Sequence, residues 1–483
     1  MKKIIILCIF LILGIPNVYA FTHVAVDCNR SAIQALIDVA SPGDTIIVPA
    51  GNCTWENHSC STNDCAALYI TKSINIIGDG IDSTNIVDGT STTFYNKLIY
   101  ADLGDGEHVR ISGFTFSDLG VQDSFGVIYI DGTANSTFRI DHNKFNELDT
   151  SPAIIKYAVG VIDNNEIIES DGLGSKISVE GNSSTGWSRT MPLGTSASVF
   201  IEDNIFSFSS MSDGVSDSRN GGSYVFRYNN VTNSIAGSHG YDTSERSVLL
   251  MEAYDNTFSK SISGTLAPGL IQYRGGSGIV FNNTVNADST PYMRGIAMTN
   301  YRSCSSYSSA KGLCNGECTS PIADQNTSPT ETYRGWPCVD QVGRGTDQGS
   351  YPIYIWGNTW GGTYTAGSVD VYDAASGTCY TDTHIQANRD YYNYNASFDG
   401  TNGVGSGLKA AMPAICTTGV AYWVTDEGEW NSENAGNDGR LYKCTSTDTW
   451  NLYYTPYTYP HPLRNEGKNI SKPGTPLKLE VVQ

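Results

Sequence analysis

From Val109 to Trp360 the chain repeats one eight-residue pattern of apolar and polar positions. It reads VRISGFTF from Val109, FRIDHNKF from Phe138, GVIDNNEI from Gly160 and VFIEDNIF from Val199. It continues as YVFRYNNV from Tyr224, MEAYDNTF from Met251, GIVFNNTV from Gly278 and IYIWGNTW from Ile353. Alternation over the first four positions predicts a short strand with its first and third residues inward. The apolar eighth residue, such as Phe145, Phe206 or Phe258, re-enters the core after a bend. Seven copies carry Asn at the sixth position: Asn143, Asn165, Asn204, Asn229, Asn256, Asn283 and Asn358. Asn tolerates unusual backbone angles and bonds the main chain, so it is expected at the bend itself. Stacked once per coil, these side chains would form a ladder of amides. The starts lie 29, 22, 39, 25, 27, 27 and 75 residues apart, so the shorter spacings set the coil and the longer ones mark inserted loops. Repeats of that length, each with several short strands, predict an all-β parallel β-helix, a solenoid.

Outside the repeat the pattern changes. Between Ser31 and Ser41, Ile33, Leu36, Ile37 and Ala40 recur at helical spacing, with Ser31 placed to cap. A short helix here would close the open end of the coil and protect its strand edge. Residues 301–350 interrupt the coil with a Cys-, Ser- and Gly-rich insertion. After about residue 405, GVAYWVTDEGEWN and GRLYKCTSTDTWNLYYTPY read as hairpin strands, clipped by Cys416 and Cys444. The aromatics there, Trp423, Trp430, Tyr442, Trp450, Tyr453 and Tyr454, are read first as a small core and second as stacking surfaces for sugar rings. The expected division is a leader over 1–20, a β-helix domain over 21–405 and a β-rich segment over 406–483.

The leader reading rests on Lys2 and Lys3, an apolar run and Val18-Tyr19-Ala20 before Phe21, which together resemble a secretory signal. The run is about twelve residues, short of the roughly twenty needed to span a bilayer. A secreted, periplasmic or extracellular protein without an integral membrane segment is therefore expected. Twelve cysteines, eleven of them beyond the leader, fall in groups that suit disulfides in such a compartment. With 29 basic against 49 acidic residues the net charge is −20, which disfavours nucleic acid as a partner. The 483 residues are only 16% charged and 40% hydrophobic, ample for a long core.

The segments PGDTIIVPAG (Pro42 to Gly51) and INIIGDG (Ile74 to Gly80), followed by the Asn-bearing repeats, resemble the right-handed parallel β-helix proteins of the pectate-lyase-like superfamily. The resemblance covers roughly residues 28–400. The stretch from Tyr273 to Asn283 and the tail TPYTYPHPL look like secreted bacterial members of unassigned activity. It implies a right-handed coil and action on acidic polysaccharides as a lyase or hydrolase. The paired-Asp and Gly-His-Gly motifs of the polygalacturonase branch are absent, and Ser238-His239-Gly240 matches them only in part.

Two sets of side chains are candidates for that chemistry. Counted from the repeat starts, Asp217 and Asp242 both fall eighteen residues on in successive coils, and Arg219, Arg246 and Arg274 fall at similar offsets in three. His239 lies beside them. The catalytic set is thus Arg219, His239, Asp242, Arg246 and Arg274, with Arg246 and Arg274 holding a sugar carboxylate and His239 exchanging a proton. Asp213 and Asp217 are candidate oxygen ligands for calcium, the one cofactor the sequence suggests. The second set is the outward fourth position: Asp141, Asp163, Glu202, Arg227, Tyr254, Phe281 and Trp356. Tyr254, Phe281 and Trp356 would stack on sugars in a groove along the coil. An exported polysaccharide-active enzyme is the first reading; a non-catalytic glycan-binding or surface-adhesion protein is the alternative.

Overall fold

A computed structural model describes residues 20–56, 65–90, 96–118, 126–148, 150–170, 176–182, 185–210, 214–241, 245–260, 270–287, 295–299, 339–360, 369–372 and 385–465. The first four positions of each repeat form strands of a twelve-stranded parallel sheet, from Thr22–Val24 to Tyr391–Asn393. The eighth position opens onto a second sheet of ten strands, Gly51–Trp55 to Thr359–Trp360. A third sheet of ten, Ala66–Ile70 to Val369–Val371, completes each coil. Within these sheets every strand bonds to its counterpart one coil away, which makes the chain a right-handed parallel β-helix. First- and third-position residues such as Phe138, Ile140, Tyr224 and Phe226 join Phe116, Phe145, Phe206 and Phe258 in one continuous apolar column.

At the bend the structure departs from expectation in an informative way. The left-handed residue is the fifth, not the sixth: Gly113, His142, Asn164, Asp203, Tyr228, Asp255, Asn282 and Gly357 all have φ between 53° and 82°. Turning the chain one residue earlier aims the sixth side chain along the coil axis. Each Nδ2 of Asn143, Asn165, Asn204, Asn229, Asn256 and Asn283 donates to the Oδ1 of the next, at 3.2, 3.0, 3.1, 3.1, 2.9 and 2.9 Å. The backbone N–H of each donates to the same oxygen, so the ladder couples side chains to main chain. All seven asparagines are buried. In the first copy Phe114 occupies the sixth position and its N–H still donates to Asn143 Oδ1 at 3.1 Å.

The N-terminal end is closed by a helix, Arg30–Val39, that buries Ile33 and Ile37 against the first coil. Its cap position is Asn29 rather than Ser31, which lies in the first turn. A disulfide from Cys28 to Cys53 ties the start of this helix to the second sheet. Cys65 is also disulfide-bonded. The expected leader and most of the insertion, including its four cysteines, lie outside the described residues. Among those described, no helix is long and apolar enough to cross a membrane.

After the last coil, four strands form a separate sheet: Val404–Gly407, Ala421–Val424, Arg440–Ser446 and Thr449–Tyr454. The Cys416–Cys444 disulfide clips it, as its sequence suggests. This segment lies on the outer face of the first sheet. Trp423, Trp430, Leu441 and Tyr454 share one apolar cluster with Phe200, Tyr254, Phe281 and Trp356 of the coil. Glu252, on the same face, accepts from Tyr454 Oη at 2.6 Å and from Gly194 N at 2.9 Å.

Two expected outcomes test this architecture. Asn229→Ala removes the acceptor of the Asn204 amide groups and the donor to Ile201 O, leaving buried groups that cost about 1–3 kcal/mol each. Thermal and denaturant melts should show a loss of at least that size, and an unchanged midpoint would mean the ladder carries no weight. The second outcome concerns pH. Burial pushes the Glu252 carboxyl up to about 7 from an ordinary 4.5. The folded state then binds this proton more tightly than the unfolded chain, so its contribution is full below the lower value and is lost as pH rises through the upper one. Asp255, raised by burial to about 6, adds slope of the same sign. Melting temperature should therefore fall between pH 5 and pH 8 for these groups, and Glu252→Gln should flatten part of that fall.

Candidate functional site

The outward stripe of the first sheet is not an open groove. Tyr254 and Phe281 stack with ring centroids 4.6 Å apart, Phe281 and Trp356 at 4.7 Å, and Trp423 and Trp430 of the C-terminal segment close over them. Tyr254, Phe281 and Trp356 are 0%, 0% and 2% exposed, so the expectation of a row of sugar-stacking faces is corrected. The acidic half of the stripe is likewise occupied. Arg110 forms a forked pair with Asp141 and Arg139 with Asp163, while Arg227 Nε and Nη2 both meet Oε2 of Glu202. Arg464 of the C-terminal segment pairs with Asp163, Glu202 and Asp203. Charges buried so deeply hold only when paired, and here each answers its neighbour one coil away.

The third sheet is different. Its outer face carries a column of charges at one register level. Asp131 stands opposite Lys156, Lys156 opposite Glu180 and Glu180 opposite Arg219. Ser216 stands opposite Ala236, and Gly237 opposite Gln272. Carried three residues on from the first pair and two from the second, that register puts His239 level with Arg219 and Arg274 level with His239.

His239 is the centre of this column. Its Nδ1 lies 3.1 Å from Asp217 Oδ2 and its Nε2 lies 3.2 Å from Glu245 Oε2. Arg219 bridges outward, with Nη1 donating to Glu245 Oε1 at 2.6 Å and Nε donating to Glu180 Oε1 at 3.0 Å. Arg274 is held by Ser238, whose carbonyl accepts from its Nε at 2.6 Å, and its Nη2 lies 3.6 Å from Asp217 Oδ1. Burial alone would lower the His239 imidazolium. Hydrogen bonds to Asp217 and Glu245, with the Asp217 charge, outweigh it and raise the ring above the ordinary histidine range. Asp217 is only partly exposed, yet the bond from His239 and the Arg274 charge hold its carboxyl well below the usual range. An imidazolium clamped between two carboxylates, with two guanidiniums flanking it, is suited to proton exchange beside an anion.

The sequence-derived set is thus partly brought together. Arg219, His239, Arg274 and Asp217 converge; Asp213 and Asp242 lie outside the described residues. Asp217 stacks between Ser178 and the level of Gly237. Counting from the repeat start fails here because seven residues join the second and third sheets in one coil (209–215) and three in the next (233–235). Arg246 is not available to a substrate. Its Nε and Nη2 donate to the two oxygens of Asp340 at 2.6 Å each, and Asp340 is fully buried and further held by Gln348. This pair anchors the chain returning from the insertion. Glu245 and Glu180 were missed; Glu245 is in plain view beside Arg246, but only the fold shows that it faces His239.

Calcium finds no support in this donor set. The Asp217 oxygens face the His239 ring and the Arg274 guanidinium, and among the described residues no group of three or more His, Cys, Asp or Glu is placed to hold a metal. Glu180 also lines an open cavity of about 500 Å³ beside the column, together with Tyr157, Asn182, Gly222 and Ser223. Arg189 lines it as well. Its guanidinium donates only to Gly221 O, Ala197 O and Ser223 Oγ, and no carboxylate among the described residues pairs with it.

Because Arg246 neutralises a buried carboxylate, Arg246→Ala should lower stability by roughly 3 kcal/mol, as breaking a buried pair does. Arg246→Lys should recover part of it, since one point charge replaces a fork. Melts of the two variants check this, and a neutral Arg246→Ala would return Arg246 to the functional set. Compared with known proteins, the chain matches no protein-family model and no curated protein.

Proposed function

We propose that this chain is a polysaccharide-active enzyme that cleaves an acidic glycan by β-elimination on the outer face of the third sheet. The observation that carries the reading is His239 clamped between Asp217 and Glu245, with Arg274 alongside. The coil is the kind of rod along which a polymer can lie, and the superfamily it resembles acts largely on acidic polysaccharides. In this reading Arg274 neutralises the uronate carboxylate, which acidifies the neighbouring carbon-bound proton. Glu245, a little more exposed than Asp217 at 24% against 19%, removes that proton. The C–H electrons form the carbon–carbon double bond, the bond to the glycosidic oxygen breaks, and the His239 imidazolium protonates the departing oxygen. Asp217 positions His239. Arg189, in the adjoining cavity, would receive a second carboxylate of the same chain. Asp242, and calcium at Asp213 and Asp217, take no part in these steps.

The second reading, a non-catalytic glycan-binding or adhesion protein, draws on the same cations, because a binding face needs the column but not the proton transfer. Incubation with a panel of polyuronates and sulfated glycans separates the two. The lyase reading expects ultraviolet-absorbing unsaturated products; hydrolysis expects new reducing ends without them; binding alone expects neither. His239→Ala should lower turnover at least about 10²-fold, the scale of general acid–base catalysis. His239→Asn, which keeps a donor toward Asp217, should hold the fold without restoring turnover. Activity should decline on the alkaline side as His239 loses its proton, above the ordinary histidine range because its ring is raised. Retained turnover in both variants would sink the assignment.

A further inference from the structure

The first strand of the coil starts against a buried carboxylate. Asp44 follows the turn at Pro42 and Gly43 and is 2% exposed. Its Oδ1 accepts from the backbone N–H of Phe21 at 2.7 Å, and its Oδ2 accepts from the backbone N–H of Ser41 at 2.8 Å. His23 Nε2 lies 2.9 Å from the same Oδ2. Asp44 thus ties the start of the first strand to the exit of the capping helix. Burial works to raise its carboxyl, but the bonds from Phe21, His23 and Ser41 outweigh burial and hold it below the ordinary carboxylate value. A buried charge holds only when paired. Among the described residues His23 is the one cation placed against Asp44, and an imidazole serves as a cation only while protonated.

Phe21 is fixed from two sides. Its carbonyl accepts from Thr45 N–H at 2.8 Å while its own nitrogen reaches Asp44. Thr22, His23 and Val24 continue in parallel register with Thr45, Ile46 and Ile47. The sheet itself therefore holds the nitrogen of residue 21 at the carboxylate. Ala20 is exposed and Phe21 is 65% exposed, so the residues on both sides of their shared amide are at the surface. The expected leader ends at that same bond, after Val18-Tyr19-Ala20. A pattern in the sequence and a contact in the fold single out one nitrogen.

We infer that cleavage between Ala20 and Phe21 is a maturation step that completes the N-terminal end of the coil, because it turns the Phe21 nitrogen into an ammonium paired with Asp44. The reaction is hydrolysis by a protease that cuts after small residues. Water supplies the oxygen of the new Ala20 carboxylate, the carbon–nitrogen bond breaks, and both protons of the water go to the nitrogen, which leaves as the Phe21 ammonium. The donor to Asp44 Oδ1 then carries a full charge, and a charge-assisted bond is roughly twice as strong as a neutral one. Losing the leader and securing the first strand become one event. This inference does not depend on the catalytic reading.

The test uses the full chain produced by export. Mass spectrometry of its N-terminal peptide should find Phe21 first, and a different first residue overturns the inference. A variant with one Thr inserted between Ala20 and Phe21, its start checked in the same way, keeps a neutral amide at Phe21. It should melt about 1–3 °C lower, and an equal midpoint overturns the pairing. Asp44→Asn should cost more in the chain that starts at Phe21 than in the Thr-extended chain, whereas equal losses mean that the two groups are uncoupled. A readout without variants guards against Asp44→Asn failing to fold. Acylation of the Phe21 amine near pH 7 should run about 10-fold slower in the folded chain than in the free peptide FTHVAV, since an ammonium held one pKa unit higher exposes tenfold less reactive amine. Equal rates overturn the inference.

Discussion

One buried amide per coil, hydrogen-bonded to the amide of the next, is the contact on which this structure depends. A solenoid has no long-range cross-check on its register, because each coil touches only its neighbours. The ladder from Asn143 to Asn358 supplies that check, since each Oδ1 receives both the side-chain and the main-chain N–H of the preceding ladder residue. A coil displaced by one residue would strand both donors in an apolar interior. The left-handed fifth residue is the geometric partner of the ladder. It turns the chain so that the sixth side chain lies along the axis, and it is filled by Gly, Asn, Asp, His or Tyr without changing the turn.

With register fixed, the outward faces become rows of side chains spaced by one strand separation, and the three faces have different fates. On the first sheet, arginines and acids pair from coil to coil at one end and aromatics stack at the other. Both halves are apolar or self-neutralised enough to be covered, and the C-terminal segment covers them. Arg464 reaches back to Asp163 and Glu202, while Trp423 and Trp430 seal the aromatic end. A stripe that looks in sequence like a binding surface is therefore largely an internal interface.

The third sheet keeps its charges at the surface, and there the same stacking rule makes a site. Lys156, Glu180, Arg219, His239 and Arg274 follow one another along the coil, alternating in sign until the last two. There Arg219, His239 and Arg274 are interleaved with Glu180, Asp217 and Glu245, and Asp217 and Glu245 hold the His239 ring from both sides.

The sequence by itself determined the coil: the eight-residue pattern, the inward first, third and eighth positions and the existence of an amide ladder all follow from periodicity and from the hydrogen-bonding needs of a buried Asn. It also determined the hairpin-like character of the last segment and its Cys416–Cys444 clip. Local pattern suffices for these because each depends on residues a few positions or one repeat apart. Which outward residues stay open depends on contacts 94 to 262 residues away, and the pattern does not carry them. Trp423 closing on Phe281, Asp340 capturing Arg246 and Arg464 neutralising Glu202 each remove a candidate that composition favoured. The His239 clamp was half visible, because Asp217, Arg219 and Arg274 are near in repeat count. Only the tertiary structure placed Glu245 opposite the ring and withdrew Arg246, because unequal turns between sheets shift the register of the third sheet relative to the first.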